Sequence, residues 1–453
     1  MKKNSYFLGL ILLFAFFSRL LFLNQHSIWF DEAFSYFVAK QDLVNLIYAS
    51  LADNHPPLYF LILHFWIKIF GNSELILRFL SVIFNLLSII VLYHLVKLLF
   101  GSKKAVLASI IFVLSPLILY YSVEIRMYSL FVLFSLMALF FWLRFLNSSH
   151  KKDLILFILS FPLIFLGKAF RHKKYILALS IPFLFTTPLF YYYFKVPHPL
   201  IASQNPFLGV LYTFSSFFDG GTGIVSLYTI LKVGPLIIKL LLLGSLVYFF
   251  TLLLRGVVET KKTKNGRFIL ILIISPILFM FFLGLILPVF SARGFIFLAP
   301  FVFIILSLGI PNLKVFLLTC FIFILLDLNY LFFPLFKGPD IEQAYLSYNF
   351  NQPLLHSSIL SYYPFKYFQE TKRSSKIIQN YLLINPLNKT TAYITQGNTI
   401  NLPLSFDKFV FLEIKNGADM QVVNSFLLNA LNEYKQENVT RNADFSYTFF
   451  IKN

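Results

Sequence analysis

The feature that most constrains this chain is a succession of nearly uncharged apolar runs, each roughly 17–22 residues long, the first at Tyr6 to Leu23 and the last ending at Phe333. At 1.5 Å per residue, a helix of that length crosses the ~30 Å hydrocarbon layer of a bilayer. A single soluble core has no room for so many. Charged residues make up 13% of the chain, against roughly 25% in a soluble protein, and the mean hydropathy is +0.77. One soluble domain and disorder are both excluded. The expected class is an α-helical multi-pass membrane protein.

Spans are expected at 6–23, 79–99, 105–121, 129–146, 175–194, 236–254, 268–288, 294–310 and 313–333. The run at Tyr6 follows Met1-Lys2-Lys3 and lacks a small-x-small cleavage site, so it reads as a retained first span with its lysines in the cytoplasm. Basic connections at 101–104, 150–152, 171–174 and 255–267 then fall inside by the positive-inside rule. The segments 24–78, 122–128, 195–235 and 289–293 fall outside, with everything after about residue 334. Two short runs complicate this. Pro56 to Phe70 reads as an interfacial helix of a long outer loop, and Leu154 to Leu166 as a re-entrant or vestigial segment. The net charge of +19 is accounted for by these inner loops and by contact with anionic membrane lipid. No basic stripe interleaved with aromatics stands apart from the spans, so nucleic acid is not expected as a partner. The single cysteine, Cys320, excludes a disulfide framework within the chain and a Cys-based metal site.

After Pro334 the apolar runs shorten to strand length. Strands are expected at Thr391–Thr395, Phe409–Ile414 and Phe445–Ile451, and an amphipathic helix at Met420–Tyr434. The expected organisation is a membrane domain over 1–333 with outer loop 24–78, and a small soluble extracytoplasmic α/β domain over 334–453.

Chemistry is sought among the carboxylates and arginines at the outer face, because ionisable groups at a membrane boundary are functional candidates by default. Asp31, Glu32, Asp42, Asp53, Glu74 and Glu124 all precede residue 125 and all lie in outer segments. Asp31-Glu32 stands at a helix start, where one carboxylate can act as general base while the other orients it or holds a cation. The bland account is that two acids complement the helix dipole. In Asp53-Asn54-His55-Pro56-Pro57-Leu58-Tyr59 the prolines hold His55 rigidly before a helix, or mark an ordinary stop and start. In Tyr120-Tyr121-Ser122-Val123-Glu124-Ile125-Arg126-Met127-Tyr128, the spacing puts Tyr121, Glu124 and Tyr128 on one helical face. Arg126 has the geometry to bind phosphate, or to snorkel beside Glu124. Arg293, in Pro288-Val289-Phe290-Ser291-Ala292-Arg293-Gly294, is a further outer arginine. His356-Ser357-Ser358 and the tyrosines from Tyr362 to Tyr367 read as a buried strand end followed by a solvated helix, or as an acceptor contact. Nucleotide-loop, zinc-protease and serine-hydrolase motifs do not occur.

In this order, Asp31-Glu32, His55-Pro56-Pro57-Leu58-Tyr59, Gly71 to Arg78, Glu124-x-Arg126-x-Tyr128 and Arg293 resemble recurring positions of the GT-C glycosyltransferases, in the branch of the protein O-mannosyltransferases, aminoarabinose transferases and Rgt-like enzymes. The resemblance covers about residues 6–333 and is strongest over 19–146. It implies an active site at the outer membrane face, a polyprenyl-phosphate sugar donor, inversion at the anomeric carbon, and a lipid, glycan or protein acceptor. It implies that Asp31 is the base, with Glu32 its partner or a cation ligand. His55, Glu124 and Tyr128 would contact substrate, and Arg126 and Arg293 the phosphate. A divalent cation is compatible with this set. The rival expectations are a flippase of lipid-linked sugars, which should carry charges within spans, and a non-catalytic scaffold.

Overall fold

The computed structural model describes the chain apart from residues 1, 53–54, 149, 160–205, 220–235, 287–291, 333–339, 349–350, 357, 373–377, 384–398, 401–405, 415–433, 442–444 and 453. The expected span at 175–194, the strand at 391–395, Asp53 and the helix at 420–434, except its last residue Tyr434, lie outside the described residues. In chain order the helices are α1 (Lys2–Phe22), α2 (Phe30–Lys40), α3 (Leu43–Ala52), α4 (Leu58–Phe70), α5 (Glu74–Phe100), α6 (Ser102–Leu114), α7 (Pro116–Ser122), α8 (Tyr128–Ser148) and α9 (Lys151–Leu159). They continue with α10 (Pro206–Asp219), α11 (Leu236–Lys261), α12 (Lys264–Ile286), a 3-10 turn (Ala292–Leu298), α13 (Ala299–Gly309), α14 (Leu313–Phe332) and α15 (Ile341–Ser347). Then come β1 (Leu354–His356), α16 (Ile359–Thr371), β2 (Asn380–Leu383), β3 (Thr399–Ile400), β4 (Lys408–Ile414), β5 (Tyr434–Arg441) and β6 (Phe445–Lys452). The chain divides into two units. One holds residues 1–23, 78–194 and 200–336; the other holds 24–77, 195–199 and 337–453.

The first unit is the membrane unit. Among its described residues, α5, α8, α11 and Lys264–Phe282 of α12 are long and apolar enough to cross a bilayer. The expected span at 105–121 is α6 and α7 together, bent by 64°. The bend has a local cause. Pro116 lacks an amide hydrogen and Ser115 is extended (φ −69°, ψ 124°), so the helical ladder stops and restarts. Two expected spans are shorter helical stretches, Tyr6–Phe22 and Arg293–Gly309.

Large apolar side chains such as Leu236, Ile237, Phe279, Phe282 and Leu313 are exposed. A soluble protein does not tolerate that area of apolar surface, whereas lipid accepts it. Inside, Phe249 stacks between Phe218 (4.8 Å between centroids) and Phe323 (4.5 Å). Helices α11 and α13 approach until backbone meets backbone. A Cβ on Gly256 would lie 2.2 Å from the Ile305 carbonyl, and one on Gly309 2.3 Å from that of Leu252. Lipid supplies no hydrophobic drive for helix association, so close approach at small residues does that work. Lys104, at the start of α6, donates to the Ser307 (2.8 Å) and Ile310 (3.3 Å) carbonyls and so caps the C-terminal end of α13.

Two ionisable side chains lie in this interior. Arg19 on α1 is fully buried, and Asp327 on α14 is buried within its electrostatic reach. The guanidinium donates to Asn85 Oδ1 on α5 (3.2 Å) and to the Val113 carbonyl (3.0 Å). That carbonyl precedes the Ser115 break, where helical acceptors lose their partners. Arg19 therefore satisfies the bend.

The second unit carries a six-stranded sheet in the order β3-β2-β1-β4-β6-β5. The strands β3, β2, β1 and β4 run parallel, while β6 and β5 are antiparallel. The expected strands 409–414 and 445–451 are β4 and β6, paired with Phe409 opposite Phe450. Every residue of β1 is buried, as a central parallel strand requires. The crossover from β1 to β2 is α16, since parallel neighbours need a helical return. The expectation of a solvated helix here is corrected: Tyr362, Tyr363, Tyr367 and Phe368 of α16 are buried. The residues that cover them belong to the early loop. Tyr363 packs on Phe30 (5.9 Å) and Phe37 (5.8 Å) of α2, and Tyr367 on Tyr36 (5.1 Å). Tyr367 also donates to the Asn72 carbonyl (2.8 Å), and Lys40 pairs with Glu370 at 2.6 Å. The molecule is thus an α-helical multi-pass membrane fold with a small C-terminal sheet, whose α16 packs against segment 24–77 of the same unit.

Candidate active site

The acids of the early loop sit where α2 begins. Trp29 is extended (φ −107°, ψ 176°) and its carbonyl takes the first helical bond, from Ala33. Asp31 and Glu32 occupy the first turn, where the helix dipole favours negative charge. Successive helical residues diverge by about 100°, and the two carboxylates are treated differently. Glu32 is fully buried, with Oε2 3.9 Å from His26 Nδ1. Asp31 is half-buried, and its own carbonyl accepts from Ser35 Oγ (2.9 Å). Asp31 is therefore the more accessible of the two acids.

His55 is half-buried just before Pro56-Pro57 and α4, with its amide donating to the Ser50 carbonyl (2.9 Å). The expected rigid helix start is present, with Pro57 as the N-terminal cap of α4. His64, which carried no role in the sequence reading, is buried, and its Nδ1 lies 2.7 Å from the Ala39 carbonyl, fastening α4 to α2. His26 was likewise missed, because an isolated histidine in a polar stretch carries no local signal.

The membrane unit supplies the second group. The expectation that Tyr121, Glu124 and Tyr128 share one continuous helical face is corrected. Helix α7 ends at Ser122 and α8 begins at Tyr128, with an irregular turn between. The turn is fixed by side chains. Ser81 donates to the Glu124 carbonyl (2.6 Å), the Arg126 amide donates to the same carbonyl (2.8 Å), and Ser129 donates to the Tyr121 carbonyl (2.8 Å). Tyr120 donates to Glu124 Oε1 at 3.2 Å. Glu124 is fully buried and Arg126 is 6% exposed, so both are held in place.

The turn still brings the Tyr121 and Tyr128 rings to 4.4 Å. Tyr121 is also within electrostatic reach of Glu124 and Arg293. Tyr121 and Arg293 line one narrow crevice of ≈ 10 Å³, together with Tyr212 and Ser216 of α10. Of the expected set, Glu124, Tyr128 and Arg293 thus gather around Tyr121. Tyr121 belongs to the expected face but not to the expected contact set, and Tyr212 and Ser216 have no motif to announce them. An arginine beside phenols and a hydroxyl is a donor-rich setting that suits a phosphate oxygen.

Among the described residues no three His, Cys, Asp or Glu side chains come together to hold a metal ion.

Residues 54–218 match the family model of the dolichyl-phosphate-mannose-protein mannosyltransferases. No curated protein sequence is matched. The fold is similar to that of ArnT from Cupriavidus metallidurans in the apo state, with a TM-score of 0.65 and 10% identity, covering 98% of each chain. It is also similar to ArnT bound to undecaprenyl phosphate, with a TM-score of 0.58 and 10% identity, covering 97% of each chain. The resemblance read from the sequence is thus met by a family-model match over 54–218 and by a likeness of fold to ArnT over almost the whole length.

Proposed function

We propose that this protein is an inverting glycosyltransferase that moves a sugar from a polyprenyl-phosphate donor to an acceptor hydroxyl at the outer membrane face. The observation that carries this is the mannosyltransferase-family match over 54–218, a stretch running from the His55 segment through Glu124, Arg126 and Tyr128 to the α10 wall of the Arg293 cleft. The ArnT fold, crystallised with undecaprenyl phosphate, supports a lipid-phosphate carrier.

In this reading Asp31 removes the acceptor hydroxyl proton as the oxygen attacks the anomeric carbon from the face opposite the phosphate. A new carbon–oxygen bond forms, and the bond from the anomeric carbon to the phosphate oxygen breaks. The polyprenyl phosphate leaves with the bonding pair. Arg126 and Arg293 stabilise the charge that develops on it, and their fork-shaped guanidinium groups suit that task. Tyr128 orients the phosphate, and His55 and Glu124 contact substrate. Glu32 acts on Asp31 indirectly, by holding the α2 start against His26. The lysines at the N-terminus lie in the cytoplasm and the sheet domain lies outside.

The test is transfer by the purified, lipid-reconstituted protein from synthetic polyprenyl-phosphate sugars. Product of inverted configuration, lost in Asp31→Asn, is the expected result. Undiminished turnover in Asp31→Asn overturns the base assignment. Movement of labelled lipid across the bilayer without any sugar transfer favours a flippase.

A further inference from the structure

The second unit contains a cleft of ≈ 430 Å³ between the C-terminal half of α16 and the start of β2. Its volume falls in the range that small-molecule sites occupy, about 300–1,000 Å³. Its wall includes Tyr362, Lys366, Gln369, Glu370, Gln379 and Tyr381. That combination of phenols, carboxamides and a carboxylate is the mixture of ring faces and two-way hydrogen-bonding groups that a polyhydroxylated ring requires.

Lys366 gives the cleft its charge preference. Its ammonium lies 4.9 Å from the Phe37 ring centroid and 5.9 Å from that of Tyr362. It is half-buried, and burial lowers its pKa. The carboxylate nearest in sequence, Glu370, is engaged elsewhere: it accepts from Lys40 at 2.6 Å and from Tyr36 at 3.4 Å. No hydrogen bond or ion pair joins Lys366 to another described residue. Glu370 lies within electrostatic reach of Lys366 but is bonded to Lys40, so two ammonium groups share one carboxylate and the half-desolvated Lys366 gains from an incoming anion. The floor is preset. His356, fully buried at the end of β1, fixes Asn380 (3.3 Å) and Ser361 (3.1 Å), while Gln369 bonds both Asn380 and the Ile378 carbonyl. The Gln379 side chain is exposed and makes no hydrogen bond to a described residue.

We propose that this cleft is a binding site for a saccharide bearing an anionic group, a uronate or a sugar phosphate, with Lys366 meeting the anion and Gln379 and Glu370 meeting hydroxyls. The site stands whether or not the transfer reaction does, since none of its lining residues takes part in that chemistry.

The full-length protein in lipid nanodiscs is titrated calorimetrically with trigalacturonate, glucose 6-phosphate, maltotriose and inorganic phosphate. Binding of trigalacturonate or glucose 6-phosphate, at least about tenfold tighter than maltotriose, is expected, and which of the two binds identifies the anion. Lys366→Gln should weaken it roughly tenfold or more with unfolding temperature unchanged. Gln379→Ala, at an exposed position, should weaken it several-fold and serves if Lys366→Gln does not fold. Asp31→Asn should leave it intact, so loss of transfer and loss of binding are read separately. Equal affinity for maltotriose, equal affinity for inorganic phosphate, or full affinity in both variants overturns the proposal.

Discussion

Replacing Arg19 with methionine tests whether the buried guanidinium holds the α6–α7 bend. The substitution keeps an unbranched apolar stem but removes the bonds to Asn85 and to the Val113 carbonyl. Hydrogen bonds to a charged group contribute about 1.5–3 kcal/mol each. It also takes from the buried Asp327 the cation in its electrostatic reach. From the two hydrogen bonds Arg19→Met should lose roughly 3–5 kcal/mol in total. Adding Asp327→Leu should restore at least about 1 kcal/mol, because an apolar pair of similar volume carries no desolvation penalty. The assay is reversible unfolding in mixed micelles of rising SDS content, followed by tryptophan fluorescence. A loss below about 1 kcal/mol in Arg19→Met, or a double variant weaker than the single one, refutes the reasoning.

Further outcomes follow from other parts of the fold. Gly256→Val places a branched side chain against the Ile305 backbone and should lower the unfolding temperature in detergent, with a loss of about 1–3 kcal/mol or more; Gly244→Val, where the added Cβ has nothing within 4 Å, is the matched control. Burial holds the His356 imidazole down at about 3, against 6.5 for the free group. The unfolded chain therefore binds the extra proton first, so the stability that neutral His356 provides is complete above pH 6.5 and declines as pH falls toward 3. His356→Gln should flatten that part of the stability–pH curve, measured on the full chain by thermal unfolding. Arg126→Lys keeps a charge but loses the planar fork, and should reduce turnover roughly tenfold or more in the transfer assay with the unfolding temperature little changed. Equal turnover would remove Arg126 from the phosphate.

Much of the helix content was legible because lipid imposes a length rule on apolar runs, and α5, α8 and α11 follow it. Where tertiary contacts decide, the pattern misled. The run 105–121 is apolar throughout, so its hydropathy hides the break; Pro116 was the sign of it. The stretch Ser122 to Met127 contains neither glycine nor proline, and the interruption before α8 depends on Ser81, which lies 43 positions away from Glu124. Arg19 and Asp327, like His26 and Glu32, are unremarkable singly; only the fold brings them within electrostatic reach of one another. Tyr212 and Ser216 join Arg293 through the path of α10, which no local motif encodes. By contrast, Asp31-Glu32 and Pro56-Pro57 were readable, because a helix start is a local event written in caps and prolines.

The partnership between α2 and α16 also sets a schedule for biosynthesis. Tyr36 and the Glu370 it meets are 334 positions apart. At about 5–20 residues per second, translation takes roughly 17–67 s to travel from one to the other. During that interval the translocon must thread the intervening transmembrane segments while the aromatic side of the early loop waits uncovered. A nascent chain stalled before α16 would present that side to chaperones and proteases, which makes the late helix the checkpoint for maturation of a segment made long before it.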